Sequence, residues 1–79
     1  MRRIGTVVRV SQGLAVLRAP GDTDDDAYDA IGTIVLDDSL EKVGRVVDVF
    51  GPVEEPYLAV TPDSGVHLPG LVGSALYAR

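Results

Sequence analysis

The stretch that decides the fold is VGRVVDVFGPVEEPY, residues 43–57. Val43 to Phe50 is rich in β-branched residues, which predicts a strand. Gly51-Pro52 follows and predicts a fixed turn, because proline restricts its own φ and glycine tolerates the conformations that turns need. Pro56 then shapes the entry to a further strand that begins at Tyr57. The stretch therefore indicates two strands joined by a stiff loop.

Short apolar runs separated by Gly, Pro, Asp and Ser continue along the rest of the 79 residues. They predict six strands, with a tight turn at Gln12-Gly13 after the first: Ile4–Val10, Leu14–Arg18, Gly32–Leu36, Val43–Phe50, Tyr57–Thr61 and Leu71–Tyr77. An open sheet of this size would leave two long unpaired edges, so closure is favoured. We therefore expect one all-β domain spanning residues 1–79, a small six-stranded closed or split β-barrel of the translation-factor or reductase type.

The predicted fourth strand carries apolar residues on both of its faces. Strict alternation separates Val43, Val47 and Val49 with Arg45 from Gly44, Val46, Asp48 and Phe50. A strand packed on one side only is normally polar on its second face, so Val46 or Phe50 is expected outside the barrel core. Two competing explanations stay open: a β-bulge shifts the alternation, or Phe50 plugs one end of the barrel.

The composition limits the classes of partner. Twelve acidic residues face seven basic ones, a formal net charge of -5, which argues against independent, tight binding to a phosphate backbone. Abundant Asp, with Lys42 as the only lysine, suggests a salt-adapted organism; this hypothesis predicts unfolding at low ionic strength. The sequence has no cysteine and no run near the roughly 20 apolar residues that span a bilayer. We expect a cytoplasmic, unprocessed protein without a membrane partner.

A search for catalytic or ligand-binding groups points away from an enzyme. His67 is the only histidine and lies in a predicted loop, so no zinc site can be completed. The acidic loop Asp22–Asp29 lacks the glycine and glutamate positions of a calcium-binding EF-hand and is expected to be a solvated loop. The adjacent Glu54 and Glu55 are expected at a solvated rim. We expect no catalytic residue, cofactor, metal or small-molecule substrate.

The loop within residues 43–57 is the remaining candidate site. Rigid aromatic and proline side chains lose little conformational entropy when a partner immobilises them, which suits a docking surface. The alternative is a stiff hairpin that only closes one barrel mouth. The predicted partner-binding set is Val46, Phe50, Gly51, Pro52, Val53, Pro56 and Tyr57.

The chain resembles the Gar family, the small β-barrel subunit of H/ACA ribonucleoproteins, which guide RNA pseudouridylation. The resemblance is carried by Val43–Val46, Asp48–Val53 and Pro56-Tyr57, with supporting matches at Ile4–Val7, Gly13, Ile31-Gly32 and Gly73–Tyr77. It implies a split barrel that binds the pseudouridine synthase subunit, the archaeal dyskerin counterpart. Such a barrel would touch guide RNA directly little or not at all, and would reach it indirectly through the complex. It also implies a role in substrate loading and product release during rRNA modification and ribosome biogenesis. The lack of Gly-Arg-rich tails fits an archaeal member, and the long acidic loop departs from the family.

Two other classes of binding barrel remain as alternatives. A nucleic-acid-binding barrel of the translation-factor or oligonucleotide-binding type would need exposed aromatic residues beside a basic groove, whereas Glu54-Glu55 lie between Phe50 and Tyr57. A ribosome-maturation barrel that binds a ribosomal protein would share the fold. Co-purification of a pseudouridine synthase with the tagged protein would favour the Gar interpretation. Co-purification of ribosomal proteins only would favour the ribosome-maturation barrel.

Overall fold

The computed structural model describes residues 2–19, 30–52 and 54–79. The predicted acidic loop Asp22–Asp29 and the predicted site residue Val53 lie outside the described residues. Six strands form, each where a run of apolar and β-branched residues was predicted: β1 (Arg2–Ser11), β2 (Leu14–Arg18), β3 (Ile34–Leu36), β4 (Lys42–Phe50), β5 (Tyr57–Pro62) and β6 (Ala75–Ala78).

The strands close into a barrel in the order β1-β2-β5-β4-β3-β6, with every neighbouring pair antiparallel. This confirms the all-β, six-stranded barrel, and of the two predicted forms it is the closed one. In this ring β5 and β6 are on opposite sides, since each is three strands away from the other. Closure pairs the strand edges and so removes the exposed backbone groups that an open sheet would leave.

The predicted turn after the first strand is confirmed. Ser11 pairs with Leu14, and the two residues between them have φ values of +53° at Gln12 and +77° at Gly13. Positive φ at both central residues matches the two-residue hairpin turns whose twist suits antiparallel strands.

Two strands begin later than predicted. The last strand begins at Ala75 and not at Leu71, because Leu68–Leu71 forms a short 3-10 helix. Pro69 has no backbone N–H to offer a strand ladder and is well placed in a first helical turn. The third strand begins at Ile34 and not at Gly32. The hydrogen bonds to β4 nevertheless begin before the strand itself, at Gly32, whose N–H donates to Val46 O at 2.8 Å.

The interior is filled by aliphatic side chains from all six strands. Fourteen buried residues form one cluster: Ile4, Val7, Ala15, Leu17, Ala30, Val35, Val43, Val46, Val49, Leu58, Val60, Leu68, Leu76 and Ala78. Leu68 reaches this cluster from the 3-10 helix, so that helix covers part of the core. The part of the chain that the structure describes contains no helix long and apolar enough to cross a membrane.

Candidate partner-docking face

A β-bulge in β4 decides which way Phe50 points. The pairing of β4 with β5 slips between Val46 and Asp48, so Val47 is an extra residue opposite no partner. Val46 and Val49 both lie in the core, which strict alternation does not allow for residues three apart. The bulge resolves this conflict and leaves Phe50 on the outside. The β-bulge, one of the two explanations that the sequence left open, is therefore present, and the face assignment by strict alternation was wrong.

The side chain of Asp48 helps to hold the bulge. Its Oδ1 atom accepts a hydrogen bond from the backbone N–H of Val49 at 2.8 Å. A bulge interrupts the regular ladder, so a local side-chain acceptor stabilises the irregular backbone. Asp48 and Val47 are both exposed, which places the two bulge residues outside the barrel.

Phe50 and Tyr57 form a stacked pair on that outer surface. The two residues are register partners at the start of the β4–β5 hairpin, and their ring centroids are 5.7 Å apart with 22° between the ring planes. Their neighbours Val49 and Leu58 point inward to the core. Both rings are half-buried, so each supports the other while part of its surface stays open to solvent. Such pairs contribute about 0.5–1.5 kcal/mol beyond area burial.

Gly51 is required by both the backbone and the stacked pair. Its φ is +92°, a conformation that L side chains rarely adopt, and a Cβ atom there would lie 2.9 Å from Tyr57 Cδ2. The loop beyond it is tied back by Glu55 N, which donates to Pro52 O at 3.2 Å. Pro56 O accepts from Ala19 N at 3.1 Å, which joins the end of this loop to β2. The loop is thereby anchored at both ends.

The structure brings five of the seven predicted site residues together. These five residues are all exposed or half-buried: Phe50, Gly51, Pro52, Pro56 and Tyr57. Val46 is a correction: its side chain is 1% exposed within the core, so it cannot touch a partner of the closed barrel. Of the two residues predicted to lie outside the core, the outer one is Phe50. Val53 lies outside the described residues.

Sequence reasoning missed one residue of this surface, Val47. It is 43% exposed beside Asp48, and it was assigned to a face by an alternation that the bulge breaks. The only sequence signal for its outward position was the possible β-bulge in the fourth strand.

We call the exposed set Val47, Phe50, Pro52, Pro56 and Tyr57 the Phe50 face. It presents two aromatic rings, two prolines and one aliphatic side chain, flanked by the exposed Glu54 and Glu55. Among the described residues no group of three or more His, Cys, Asp or Glu side chains could hold a metal ion. A rigid apolar surface of this kind can bury area against a protein partner.

Known proteins resemble this chain in sequence and fold. An uncharacterised protein of Methanothermobacter thermautotrophicus is 27% identical over 81 aligned positions, which cover 98% of this chain and 82% of the relative. A second, of Methanocaldococcus jannaschii, is 47% identical over 32 residues, 40% of this chain and 38% of the relative. A solved structure of the Gar1 domain of Naf1 superimposes with a TM-score of 0.68 at 20% identity, covering 99% of this chain and 85% of that one. This chain therefore has the same fold as that domain.

The family model described as "Gar1/Naf1 RNA binding region" matches residues 1–79, the whole chain. Its span includes all six strands and the loop that carries the Phe50 face. The predicted resemblance is confirmed: this chain is a member of the Gar1/Naf1 family.

Proposed function

We propose that this protein is the non-catalytic barrel subunit of an archaeal H/ACA ribonucleoprotein. In this proposal it docks on the pseudouridine synthase subunit through the Phe50 face and reaches the guide RNA through the complex. It aids substrate loading and product release in guide-directed rRNA pseudouridylation. The observation that carries the proposal is the stacked Phe50–Tyr57 pair, held outside the core on a chain of the Gar1/Naf1 family.

The geometry of the Phe50 face supports a protein as the docking partner. Its loop is restrained by the hydrogen bonds to Pro52 O and Pro56 O and by the fixed φ of the two prolines, so less conformational freedom is lost on binding. Its ring faces are apolar, and the charged residues of the adjacent loop, Glu54 and Glu55, are acidic. Acidic side chains repel a phosphate backbone, whereas they can form the polar rim of a protein interface.

The proposed docking predicts hot-spot behaviour for the aromatic pair. Phe50→Ala or Tyr57→Ala should weaken binding to the synthase subunit by about 2 kcal/mol or more, because centrally placed aromatic residues carry most interface energy. Isothermal titration calorimetry of the purified synthase with each variant measures this loss. Circular dichroism of the variants checks that the barrel is intact.

Tyr77→Ala is the matched control for Tyr57→Ala. It removes the same ring from β6, on the opposite side of the barrel from β5. We expect it to leave the affinity for the synthase unchanged. Equal affinities for folded Phe50→Ala, Tyr57→Ala and the unaltered protein would refute the docking assignment. Co-purification of ribosomal proteins alone with the tagged chain would instead favour a ribosome-maturation barrel.

A further inference from the structure

The outer side of β3 is apolar, although a solvent-facing strand surface is normally polar. β3 consists of Ile34, Val35 and Leu36, and only Val35 belongs to the core cluster. Successive residues of a strand point to opposite faces, so Ile34 and Leu36 lie on the outside of the barrel. A sheet that packs one face on the core usually carries polar side chains on the other. Packing of the barrel core therefore does not account for these two apolar side chains.

Barrel closure places Tyr77 of β6 beside this pair. Tyr77 and Leu36 are register partners, and cross-strand partners point to the same face of a sheet. Leu76 and Ala78, on either side of Tyr77, both belong to the core cluster, so Tyr77 faces outward. Tyr77, Ile34 and Leu36 are all half-buried, and each exposes part of its surface. They form an apolar strip across two neighbouring strands.

Arginines flank the apolar strip on both sides. Arg3 on β1 is the register partner of Tyr77, and Arg45 on β4 is the register partner of Ile34. Both arginines are exposed and lie on the same outer surface as their partners. From β1 to β4 this surface spans three interstrand spacings, about 14 Å. We call Arg3, Ile34, Leu36, Arg45 and Tyr77 the β3–β6 face.

The two flanking arginines keep their charge available for a ligand. Among the described residues neither Arg3 nor Arg45 forms a salt bridge. Lys42, on the same strand as Arg45, is paired instead with Asp63, with 3.5 Å between Nζ and Oδ2. The acidic turn 37–41 follows directly after β3, at the end of the face away from Arg45. The β3–β6 face is therefore locally positive on a chain whose formal net charge is -5.

We propose that the β3–β6 face is a docking surface for an acidic protein segment in which carboxylates alternate with apolar side chains. The apolar side chains of the segment cover the strip, and its carboxylates bind Arg3 on one flank and Arg45 on the other. An apolar centre with a polar rim is the usual anatomy of a protein interface, and guanidinium groups bind carboxylates in a bidentate manner. The proposal does not depend on the proposed docking, since no residue belongs to both the β3–β6 face and the Phe50 face.

The make-up of the face favours this occupant over two others. Ile34 and Leu36 offer no ring on which a base could stack and no side-chain group that could bond to its edge, which argues against a nucleic acid. A second copy of the chain, joined symmetrically through the same face, would bring the arginines of the two copies together, and like charges across an interface are unfavourable. A segment with carboxylates on both sides of its apolar side chains matches both features.

The test is a titration of the labelled full chain with a synthetic peptide that alternates glutamate with leucine, followed by amide chemical shifts. We expect the largest shifts at Ile34, Leu36 and Tyr77, and small ones on the Phe50 face. The same peptide with lysine in place of glutamate should not bind, because its cations would meet the arginines. Arg3→Gln/Arg45→Gln should weaken binding about fivefold, since exposed ion pairs contribute modestly. Ile34→Thr, which keeps the branched Cβ, should weaken it about threefold by removing apolar area.

A control with the same net charge separates the face from bulk electrostatics. Arg9→Gln/Arg18→Gln also removes two exposed arginines, from β1 and β2, and should keep the affinity for the peptide. Circular dichroism checks that each variant is folded. The proposal is overturned if both double variants lose affinity equally, if the lysine peptide binds as well, or if no shifts occur at the β3–β6 face. It is also overturned if a single-stranded RNA oligonucleotide shifts these residues and the acidic peptide does not.

Discussion

Replacing Gly51 by alanine should lower the free energy of unfolding and weaken docking on the synthase. The structure gives two separate costs, one for the backbone conformation and one for the lost ring stacking. Holding an L side chain at φ +92° costs about 1–2 kcal/mol. The new Cβ atom would lie 2.9 Å from Tyr57 Cδ2, so the ring must move and the stacking with Phe50, about 0.5–1.5 kcal/mol, is lost. The total is about 1.5–3.5 kcal/mol. A chain of 79 residues has about 4–12 kcal/mol of stability in all.

Gly65→Ala isolates the backbone contribution. Gly65 has nearly the same φ, +87°, but a Cβ atom there meets nothing within 4 Å. We expect it to lose about 1–2 kcal/mol, a fall in the midpoint temperature of roughly 4–16 °C, and to keep its affinity for the synthase.

Urea unfolding followed by circular dichroism measures both variants, and calorimetric titration with the synthase measures docking. The reasoning predicts that Gly51→Ala is the less stable by about 0.5–1.5 kcal/mol and alone binds more weakly. Equal losses of stability in the two variants, with unchanged docking in both, would show that the contact between Gly51 and Tyr57 carries neither effect.

Three further outcomes are expected. Leu40 has φ +67° in the turn 37–41 and is 60% exposed, so Leu40→Gly should raise the free energy of unfolding by about 1 kcal/mol. The urea midpoint should rise, and a lower midpoint would show that the backbone at Leu40 is not strained. Val46→Ala should lower the free energy of unfolding by about 2 kcal/mol because Val46 is 1% exposed in the core, whereas Val47→Ala, at a site 43% exposed, should change it by no more than about 0.5 kcal/mol. Similar losses for the two variants in urea unfolding would argue against the bulge. If the chain is salt-adapted, its thermal midpoint should rise with KCl as the net charge of -5 is screened, and a flat response would reject that hypothesis.

Local sequence patterns predicted most of the fold. β2 was predicted with its observed bounds, and β1, β4 and β5 to within two residues at each end, because β-branched runs bounded by Gly and Pro are strong strand signals. The last strand was predicted to begin at Leu71, four residues too early, because the apolar Leu71-Val72 was taken as the start of the strand. Leu71 instead ends the 3-10 helix, and Gly73 has φ +90° in the turn that follows. An apolar run of this length fits either a strand or a core-covering turn, and its role is decided by what it packs against.

The candidate site was only partly predictable. The Gly51-Pro52 turn and the pairing of Phe50 with Tyr57 follow from local punctuation and hairpin geometry. The burial of Val46 could not be predicted, because the bulge at Val47 depends on how β4 pairs with β5. A slip of one residue exchanges the faces of every following side chain, so periodicity within one strand cannot settle which residues reach a partner.

The sequence by itself determined a strand-rich, acidic chain with a stiff aromatic and proline loop, since these follow from composition and from contacts between near neighbours. Only the tertiary structure placed Phe50 and Tyr57 outside the core, through the bulge. Only barrel closure placed β6, from the end of the chain, between β1 and β3. The physical reason is that strand propensity is set by near neighbours in sequence, whereas strand pairing and register depend on segments that are distant in the chain.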